Sequence, residues 1–157
     1  MEKPLITDSP SALMNLQSNA NSAGVFVYTA YNHRFEPHFK NMKEILESGE
    51  LGELFSIRMF YGNGTSRLVK ASPWRDQGMG VISDLVPHLL DTLVFWLGAH
   101  ELEDLYLRCH NFETLAPDHA VVHANIGRVS IELGMSLCMW RNSFACDIIG
   151  DKGSAHI

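Results

Sequence analysis

The sequence has few cysteines, no long hydrophobic run and no excess of positive charge. Its three cysteines, Cys109, Cys138 and Cys146, are odd in number, widely spaced and without a Cys-x-x-Cys pair. We therefore expect free thiols in a reducing compartment rather than a disulfide framework. The most apolar stretch, residues 85–99, is interrupted by polar residues and is shorter than the roughly 20 residues that a membrane span needs.

The charge balance and the missing motifs exclude further classes of protein. Twelve Lys and Arg against eighteen Asp and Glu give a formal net charge of −6, which argues against nucleic acid and against anionic membrane surfaces. No Gly-x-Ser-x-Gly elbow of a hydrolase occurs, and Gly78-Met79-Gly80 lacks the third glycine of a nucleotide-binding loop. Residues 1–4 have no apolar core, so we expect no secretory signal and a soluble, cytoplasmic protein.

The pattern of apolar residues predicts an α+β fold. A length of 157 residues with 46% hydrophobic residues suffices for one domain with a real core. Strands that follow helices indicate an open, predominantly antiparallel sheet with helices packed on one face. Residues 126–129 and 141–143 have the composition of tight turns that join antiparallel neighbours. The predicted elements are a helix that Ser9 caps and that starts at Pro10, a buried strand at 25–28, a helix from Pro37, a strand at 54–61, a loop at 62–78, a helix at 79–97, and strands at 101–112, 119–127, 129–140 and 143–149.

One predicted helix carries residues that suit proton transfer. Gly80, Asp84 and His88 are four residues apart, and Asp91 follows three residues later, so a helix would place them on one face. An Asp one turn before a His can orient the imidazole and stabilise its charged form, and a small residue one turn earlier leaves room for a ligand. A helix N-terminal Asp followed by a buried His with its own partner is the alternative interpretation.

Two other groups of residues are weaker candidates. Trp74 and Arg75 place an aromatic ring and a cation in the long loop, either beside a cleft or as an anchor of the loop. His119 and His123 share a strand face but lie about 13 Å apart, too far to ligate one ion, so no metal site is predicted.

Five short motifs follow one another along the chain. They are Glu2-Lys3-Pro4, Tyr31-Asn32-His33-Arg34-Phe35, Glu47-Ser48-Gly49-Glu50-Leu51-Gly52, Gly80-x3-Asp84-x3-His88-x2-Asp91 and Ile149-Gly150-Asp151-Lys152-Gly153-Ser154. In this order they resemble the GFO/IDH/MocA oxidoreductases, the family of glucose–fructose oxidoreductase, inositol dehydrogenase and the rhizopine-catabolism proteins. The resemblance covers nearly the whole chain.

The resemblance implies a division of the chain into two parts. Family members join a Rossmann domain, which binds NAD or NADP, to a C-terminal α/β domain with an open sheet. Residues 1–30 would be the last helix and strand of the Rossmann domain, and residues 31–157 the substrate-binding and dimerisation domain, cut short at its C-terminus. The family's glycine-rich phosphate loop is not in this sequence. We therefore expect the isolated chain to be inactive and its first 30 residues to be loosely held.

The resemblance also implies roles for individual residues. The reaction would transfer hydride between a nicotinamide cofactor and a hydroxyl of a sugar, cyclitol or related polyol. A His held by an Asp suits the hydroxyl proton, and a Lys cation stabilises the developing alkoxide. The implied catalytic residues are Lys3, Asp84 and His88; Glu2, Lys3 and Pro4 would flank the nicotinamide; and Asn32, His33, Trp74 and Arg75 would face the substrate.

A non-catalytic binding or homodimerisation module with the same fold is the alternative. Alternation over residues 119–140 produces an apolar strand face, and such a face turned away from the helices would require a partner. Sheet-to-sheet pairing of two copies would cover it, so we expect a homo-oligomer through the open sheet face. The face comprises Val122, Ile131, Leu133, Met135 and Leu137.

Overall fold

The structure is a computed structural model that describes residues 10–157. It divides into two compact units, Met1–Asn32 and His33–Ile157. The predicted division after residue 30 is close to this boundary, and the assignment of the first unit to a Rossmann domain stays a prediction. None of the helices formed by the described residues combines the length and the apolar character that a membrane crossing requires.

The described part of the first unit contains a single helix, α1, at Pro10–Ala23. Its predicted start at Pro10 and its end before Gly24 are confirmed, whereas the cap at Ser9 lies outside the described residues. The buried strand predicted at 25–28 is wrong: this segment belongs to no helix or strand, and Phe26 is fully exposed. A strand needs a neighbour for its backbone hydrogen bonds, and none of the described strands pairs with this segment.

The second unit is built on one six-stranded sheet with the order β2-β3-β4-β1-β5-β6. Only the β1–β4 pair is parallel, which confirms the predicted open, predominantly antiparallel α+β fold. The elements are a 3-10 helix at Asn32–Phe35, α2 at Pro37–Ser48, β1 at Leu54–Gly62, α3 at Ser66–Lys70, α4 at Val81–Leu97, β2 at Glu103–His110, β3 at His119–Ile126, β4 at Val129–Ser136, β5 at Ser143–Gly150 and β6 at Ser154–His156.

Of the two predicted tight turns, only the first joins neighbouring strands. Ile126 pairs with Val129 across a two-residue hairpin between β3 and β4, as predicted. The prediction for residues 141–143 is wrong, because β1 lies between β4 and β5. Strand order depends on pairing between distant segments, which a local turn composition does not record. The segment after β1, which the sequence indicated as a loop, begins beside the end of β4, where Asn63 donates its N–H to the Ser136 carbonyl. That segment also contains the short helix α3.

The hydrophobic core lies between one face of the sheet and helix α4. Leu85, Leu89 and Leu93 of α4 are buried in the same cluster as the strand residues. The apolar strand face is therefore covered by the helix, and the expectation that it is turned outward is wrong. Period-2 alternation separates the two faces of a strand but does not say which one the helices cover. The strand residues concerned are Val122, Ile131, Leu133, Met135 and Leu137, all of them buried.

The other face of the sheet carries charged groups. Arg58 Nε lies 3.3 Å from Glu132 Oε1, and His123 Nδ1 lies 3.8 Å from Glu132 Oε2. Arg58 and Glu132 are directly paired across β1 and β4, so the pair lies near the middle of the sheet. This open sheet face is more polar than the sequence predicted.

Helix α2 packs on α4 and completes the layer over the sheet. Phe39 and Met42 of α2 are buried, and Trp96 of α4 donates its indole N–H to the Phe39 carbonyl at 2.9 Å. Gly49 ends α2 with φ 73°, as predicted for this segment. The start of α2 is thereby joined to the last turn of α4.

Candidate active site

The beginning of helix α4 is fixed by a neighbouring loop. Val81 donates its N–H to the Pro117 carbonyl at 2.7 Å. Gly80 has φ 49°, and a Cβ at this position would collide with the same carbonyl oxygen. The predicted role of Gly80, to leave space for a ligand on the helix face, is wrong: the helix begins at Val81, and Gly80 allows the close approach of Pro117.

Two buried carboxylates organise the loop that contains Pro117. Asp118 is fully buried and accepts the N–H groups of residues 112, 113 and 114 at 2.6–3.0 Å. Asp76 accepts the N–H groups of residues 115 and 116 at 2.7 and 2.8 Å. Burial alone would raise the pKa of Asp118, but the backbone hydrogen bonds outweigh it and lower the pKa. The two carboxylates therefore hold the loop and, through Pro117, the first turn of α4.

Asp84 and His88 lie on α4 four residues apart, as their spacing predicted. His88 is buried, with 9% of its surface exposed, and Asp84 is half-buried near the start of the helix. An acidic side chain in the first turn of a helix is stabilised by the helix dipole. The helix thus carries a carboxylate that is accessible to solvent and, one turn further, an imidazole inside the protein.

The ring of His33 lies at the centre of an aromatic cluster beside His88. Its centroid is 4.6 Å from that of Phe39, 5.2 Å from those of Tyr61 and His88, and 5.5 Å from that of Phe144. These five residues come from the 3-10 helix, α2, β1, α4 and β5. We call them the aromatic cluster; it brings His33, predicted to face the substrate, against His88, predicted to be catalytic.

The environment of His33 favours its neutral form. Burial lowers the pKa of His33, and the charge of His38 lowers it further, whereas Glu36 and Asp91 oppose these effects. Nδ1 of His33 is buried and makes no hydrogen bond to any of the described residues. A buried ring nitrogen without a partner is tolerated far better on a neutral imidazole than on an imidazolium.

Tyr61, a member of the aromatic cluster, lies within range of the negative charge of Asp84. Its ring meets that of His88 edge-on, at 5.7 Å and 86°. Burial raises the pKa of Tyr61, and the negative charges of Asp84 and Glu36 raise it further. The phenol therefore stays protonated and can act as a hydrogen-bond donor near His88.

Arg34 and Asp91 form a bidentate ion pair next to the aromatic cluster. Arg34 donates from Nε to Asp91 Oδ2 at 2.8 Å and from Nη2 to Asp91 Oδ1 at 2.6 Å. The Asp91 side chain is 9% exposed and that of Arg34 is 30% exposed. The guanidinium also lies 5.6 Å from the centre of the Phe95 ring. The pair joins the 3-10 helix to α4.

Of the other predicted site residues in the second unit, Trp74 and Arg75 do not belong to this cluster. Glu2, Lys3 and Pro4 lie outside the described residues, and Asn32 is an exposed residue of the first unit. Trp74 and Arg75 are exposed in the loop between α3 and α4, where the guanidinium lies 6.0 Å from the Trp74 ring centre. Residues 10–157 contain no group of three or more His, Cys, Asp or Glu that could hold a metal ion.

Three residues of the site were missed by the sequence analysis as functional candidates: Phe39, Tyr61 and Phe144. Each belongs to an element whose apolar pattern indicates core packing. The sequence does contain a signal for Tyr61: its position in the alternation places it on the inward face of β1 with Ile57 and Met59, yet it bears a hydroxyl group.

All three cysteines are free, as predicted.

Comparison with known proteins identifies the family of the chain. A sequence model of the GFO/IDH/MocA C-terminal domain matches residues 39–156. Inositol 2-dehydrogenase of Corynebacterium glutamicum is 26% identical over 163 aligned residues, covering 99% of this chain and 46% of that protein. Trans-1,2-dihydrobenzene-1,2-diol dehydrogenase of Mus musculus is 29% identical over 104 residues, covering 66% of this chain and 31% of that protein. The chain therefore spans less than half the length of these relatives.

Solved structures share the fold over almost the entire chain. An inositol dehydrogenase homologue of Azotobacter vinelandii, in complex with NADH and myo-inositol, superposes with a TM-score of 0.80 at 21% identity, over 99% of this chain and 42% of the other. Scyllo-inositol dehydrogenase of Lactobacillus casei, with bound NAD(H) and scyllo-inositol, gives 0.81 at 17% identity, over 99% and 48%.

Proposed function

The chain belongs to the GFO/IDH/MocA family, and on that premise we propose that it is the substrate-binding domain of an NAD(P)-dependent oxidoreductase. The reaction transfers hydride between the nicotinamide and a hydroxyl of a sugar, cyclitol or related polyol. The observation that carries the proposal is His88, which is buried in the aromatic cluster one helical turn after Asp84. The names of the relatives support it, since they include an inositol 2-dehydrogenase.

Each proposed catalytic residue has a distinct task. His88 accepts the hydroxyl proton as the alcohol is oxidised, and Asp84 orients the imidazole and stabilises its charged form. Lys3 stabilises the negative charge that develops on the substrate oxygen. When bound, the nicotinamide supplies the hydride acceptor. Together, His88, Asp84 and the protonated Tyr61 suit proton transfer to and from a hydroxyl group, and therefore fit an alcohol substrate.

The nicotinamide cofactor, NAD or NADP, is proposed to be held mainly by a Rossmann domain that supplies the phosphate site. In this assignment Glu2, Lys3 and Pro4 flank the nicotinamide, residues 1–30 belong to the Rossmann domain and residues 31–157 form the substrate domain. The chain alone is then inactive, because a helix N-terminus with a glycine-rich turn is needed to bind the pyrophosphate. Substrate contacts are assigned to Asn32, His33, Trp74 and Arg75.

Association of two copies through the open sheet face completes the proposal. This face carries the Arg58–Glu132 pair and is not covered by α2 or α4. The non-catalytic alternative loses its main support, because the apolar strand face on which it rests is buried under α4.

Titration of the isolated chain with NADH and NADPH, followed by fluorescence, tests the domain assignment. We expect no saturable binding in the micromolar range, where complete enzymes commonly bind substrates and cofactors. Tight binding by the 157-residue chain would contradict the claim that the cofactor site lies mainly in another domain.

A further inference from the structure

We propose that Arg34 and Asp91 are positioning residues: their ion pair clamps the 3-10 helix to α4 and thereby holds the ring of His33 against His88. The purpose of this arrangement rests on the function proposed above, whereas the clamp itself is a property of the fold. Neither residue touches the reacting atoms in this account.

The geometry of the ion pair suits a clamp. Both oxygens of Asp91 accept from the planar guanidinium of Arg34, at 2.8 and 2.6 Å. Two parallel hydrogen bonds fix an angle as well as a distance, which a single ammonium contact cannot do. Since the carboxylate is nearly buried, solvent screens the pair less than a surface pair.

The positions of the four residues connect the clamp to the imidazoles. His33 and Arg34 are neighbours in the 3-10 helix. His88 and Asp91 are three residues apart on α4, which places them on one face of that helix. The ion pair therefore lies next to the contact between the rings: one residue further along the 3-10 helix and about one turn further along α4.

His33 has little else that determines its orientation. Its described contacts are ring contacts, with Phe39 stacked at 4.6 Å and His88 tilted at 5.2 Å. Ring contacts of this kind tolerate offsets, and the buried Nδ1 makes no hydrogen bond to the described residues. No hydrogen bond compensates the burial of Nδ1, so the position of the ring depends on how the 3-10 helix is held against α4. The Arg34–Asp91 ion pair joins these two elements.

Release of the clamp should be visible in the titration of His33. The groups that face this imidazole are Glu36 and His38 beside it, Asp91 and His88 on α4, and Tyr61 on β1. Burial is the largest cause of its lowered pKa. If the 3-10 helix moves away, water reaches the ring and the pKa rises toward its ordinary value of about 6.5.

The test is histidine-ring NMR on the full chain, with Arg34→Lys and Asp91→Asn. Lysine keeps the charge but cannot make the two parallel hydrogen bonds, and asparagine keeps the shape without the charge. In both variants we expect the His33 ring protons to lose at least about half of the ring-current shift that the surrounding aromatic rings cause. In Arg34→Lys the His33 pKa should also rise as water reaches the ring, whereas Asp91→Asn removes a charge that itself raises the pKa of His33, so the ring shift alone is the readout for that variant. Arg58→Lys, in the ion pair with Glu132, is the matched control and should change neither signal.

Unaltered ring shifts of His33 in both variants, together with an unaltered His33 titration in Arg34→Lys, would overturn the proposal. Should a single variant fail to fold, the double variant Arg34→Met/Asp91→Leu removes the pair without leaving a buried charge. The His33 ring should be displaced in this double variant as well. A His33 ring spectrum identical to that of the wild type would contradict the proposal. The readout requires no turnover, so it can fail while polyol oxidation is established, or succeed while polyol oxidation is refuted.

Discussion

The imidazole rings of His33 and His88 lie with their centroids 5.2 Å apart and their planes tilted by 35°. They belong to a 3-10 helix and to α4, and the rings of Phe39, Tyr61 and Phe144 surround the first of them. Two imidazoles this close cannot both be charged without strong repulsion. A neutral His33 therefore places no positive charge beside the ring of His88.

The stability of the protein should fall on mild acidification because of His33 and His119. Burial is the main cause that lowers the pKa of each, so the unfolded chain binds more protons than the folded one below about pH 6.5. The stabilisation is fully present above that pH and is lost as the pH falls toward the folded pKa. We expect the free energy of unfolding, measured by urea denaturation between pH 7.5 and 5.5, to depend less on pH in His33→Gln than in the wild type. The difference between the two slopes should be at most about that of one proton. An unchanged slope in His33→Gln would contradict this prediction; His156→Gln, at an exposed histidine of β6, is the control.

Asp118→Asn should destabilise the protein strongly. The carboxylate is fully buried and accepts three backbone N–H groups, and an amide would turn one acceptor into a donor that faces them. Hydrogen bonds to charged groups contribute about 1.5–3 kcal/mol each, so we expect a loss of about 2–4 kcal/mol in the free energy of unfolding. Urea denaturation measures it, and Asp147→Asn on the exposed side of β5 should cost no more than about 0.5 kcal/mol. Equal losses in the two variants would refute the structural role of Asp118.

Gly80→Ala and Gly78→Ala separate two effects of a glycine. Both positions have positive φ, 49° and 65°, but an added Cβ collides with the Pro117 carbonyl only at Gly80. Both variants should lose about 1–2 kcal/mol through the left-handed backbone, and Gly80→Ala about 1–3 kcal/mol more through overpacking. Thermal denaturation gives the difference. Similar melting temperatures for the two variants would contradict the prediction, because the loop of Pro117 would then move aside without loss of stability.

Val121→Glu should reduce self-association if two copies pair through the open sheet face. Val121 pairs with Gly134 on that face, next to Phe60, and an added charge there would be desolvated in a sheet-to-sheet dimer. We expect light scattering at high micromolar concentration to show a dimer or larger species for the wild type and a smaller mass for Val121→Glu. Glu47→Gln on the exposed face of α2 is the control. A monomeric wild type would contradict the proposed homo-oligomer.

Sequence periodicity predicts local elements well and their non-local neighbours poorly. The helix with Asp84 and His88 and the hairpin at Gly127 follow from spacing and turn chemistry within a short segment. The insertion of β1 between β4 and β5 does not, because it depends on backbone pairing between distant segments. For the same reason the strand predicted at 25–28 fails: its composition is right, but no described strand pairs with it.

The candidate site was predictable in part. Asp84 and His88 are four residues apart, the spacing that places two side chains on one face of a helix. His33 belongs to a motif that the family resemblance identifies. The partner of Asp91 could not be found this way, because Arg34 is 57 positions distant and only the packing of the 3-10 helix on α4 brings it close. The neutral state of His33 depends likewise on burial between elements, which no local pattern records.

The most direct test of the central claim is polyol oxidation by His88→Ala in a complete enzyme. The chain joined to the amino-terminal half of the Corynebacterium glutamicum relative supplies both proposed domains, and reduction of NAD⁺ in the presence of myo-inositol measures turnover. We predict that His88→Ala lowers kcat by about 10²–10⁴-fold with little change in NAD⁺ affinity, and that His110→Ala, on β2, changes neither. A kcat of His88→Ala equal to that of the unmutated enzyme would remove His88 from the mechanism and with it the proposed function of this site.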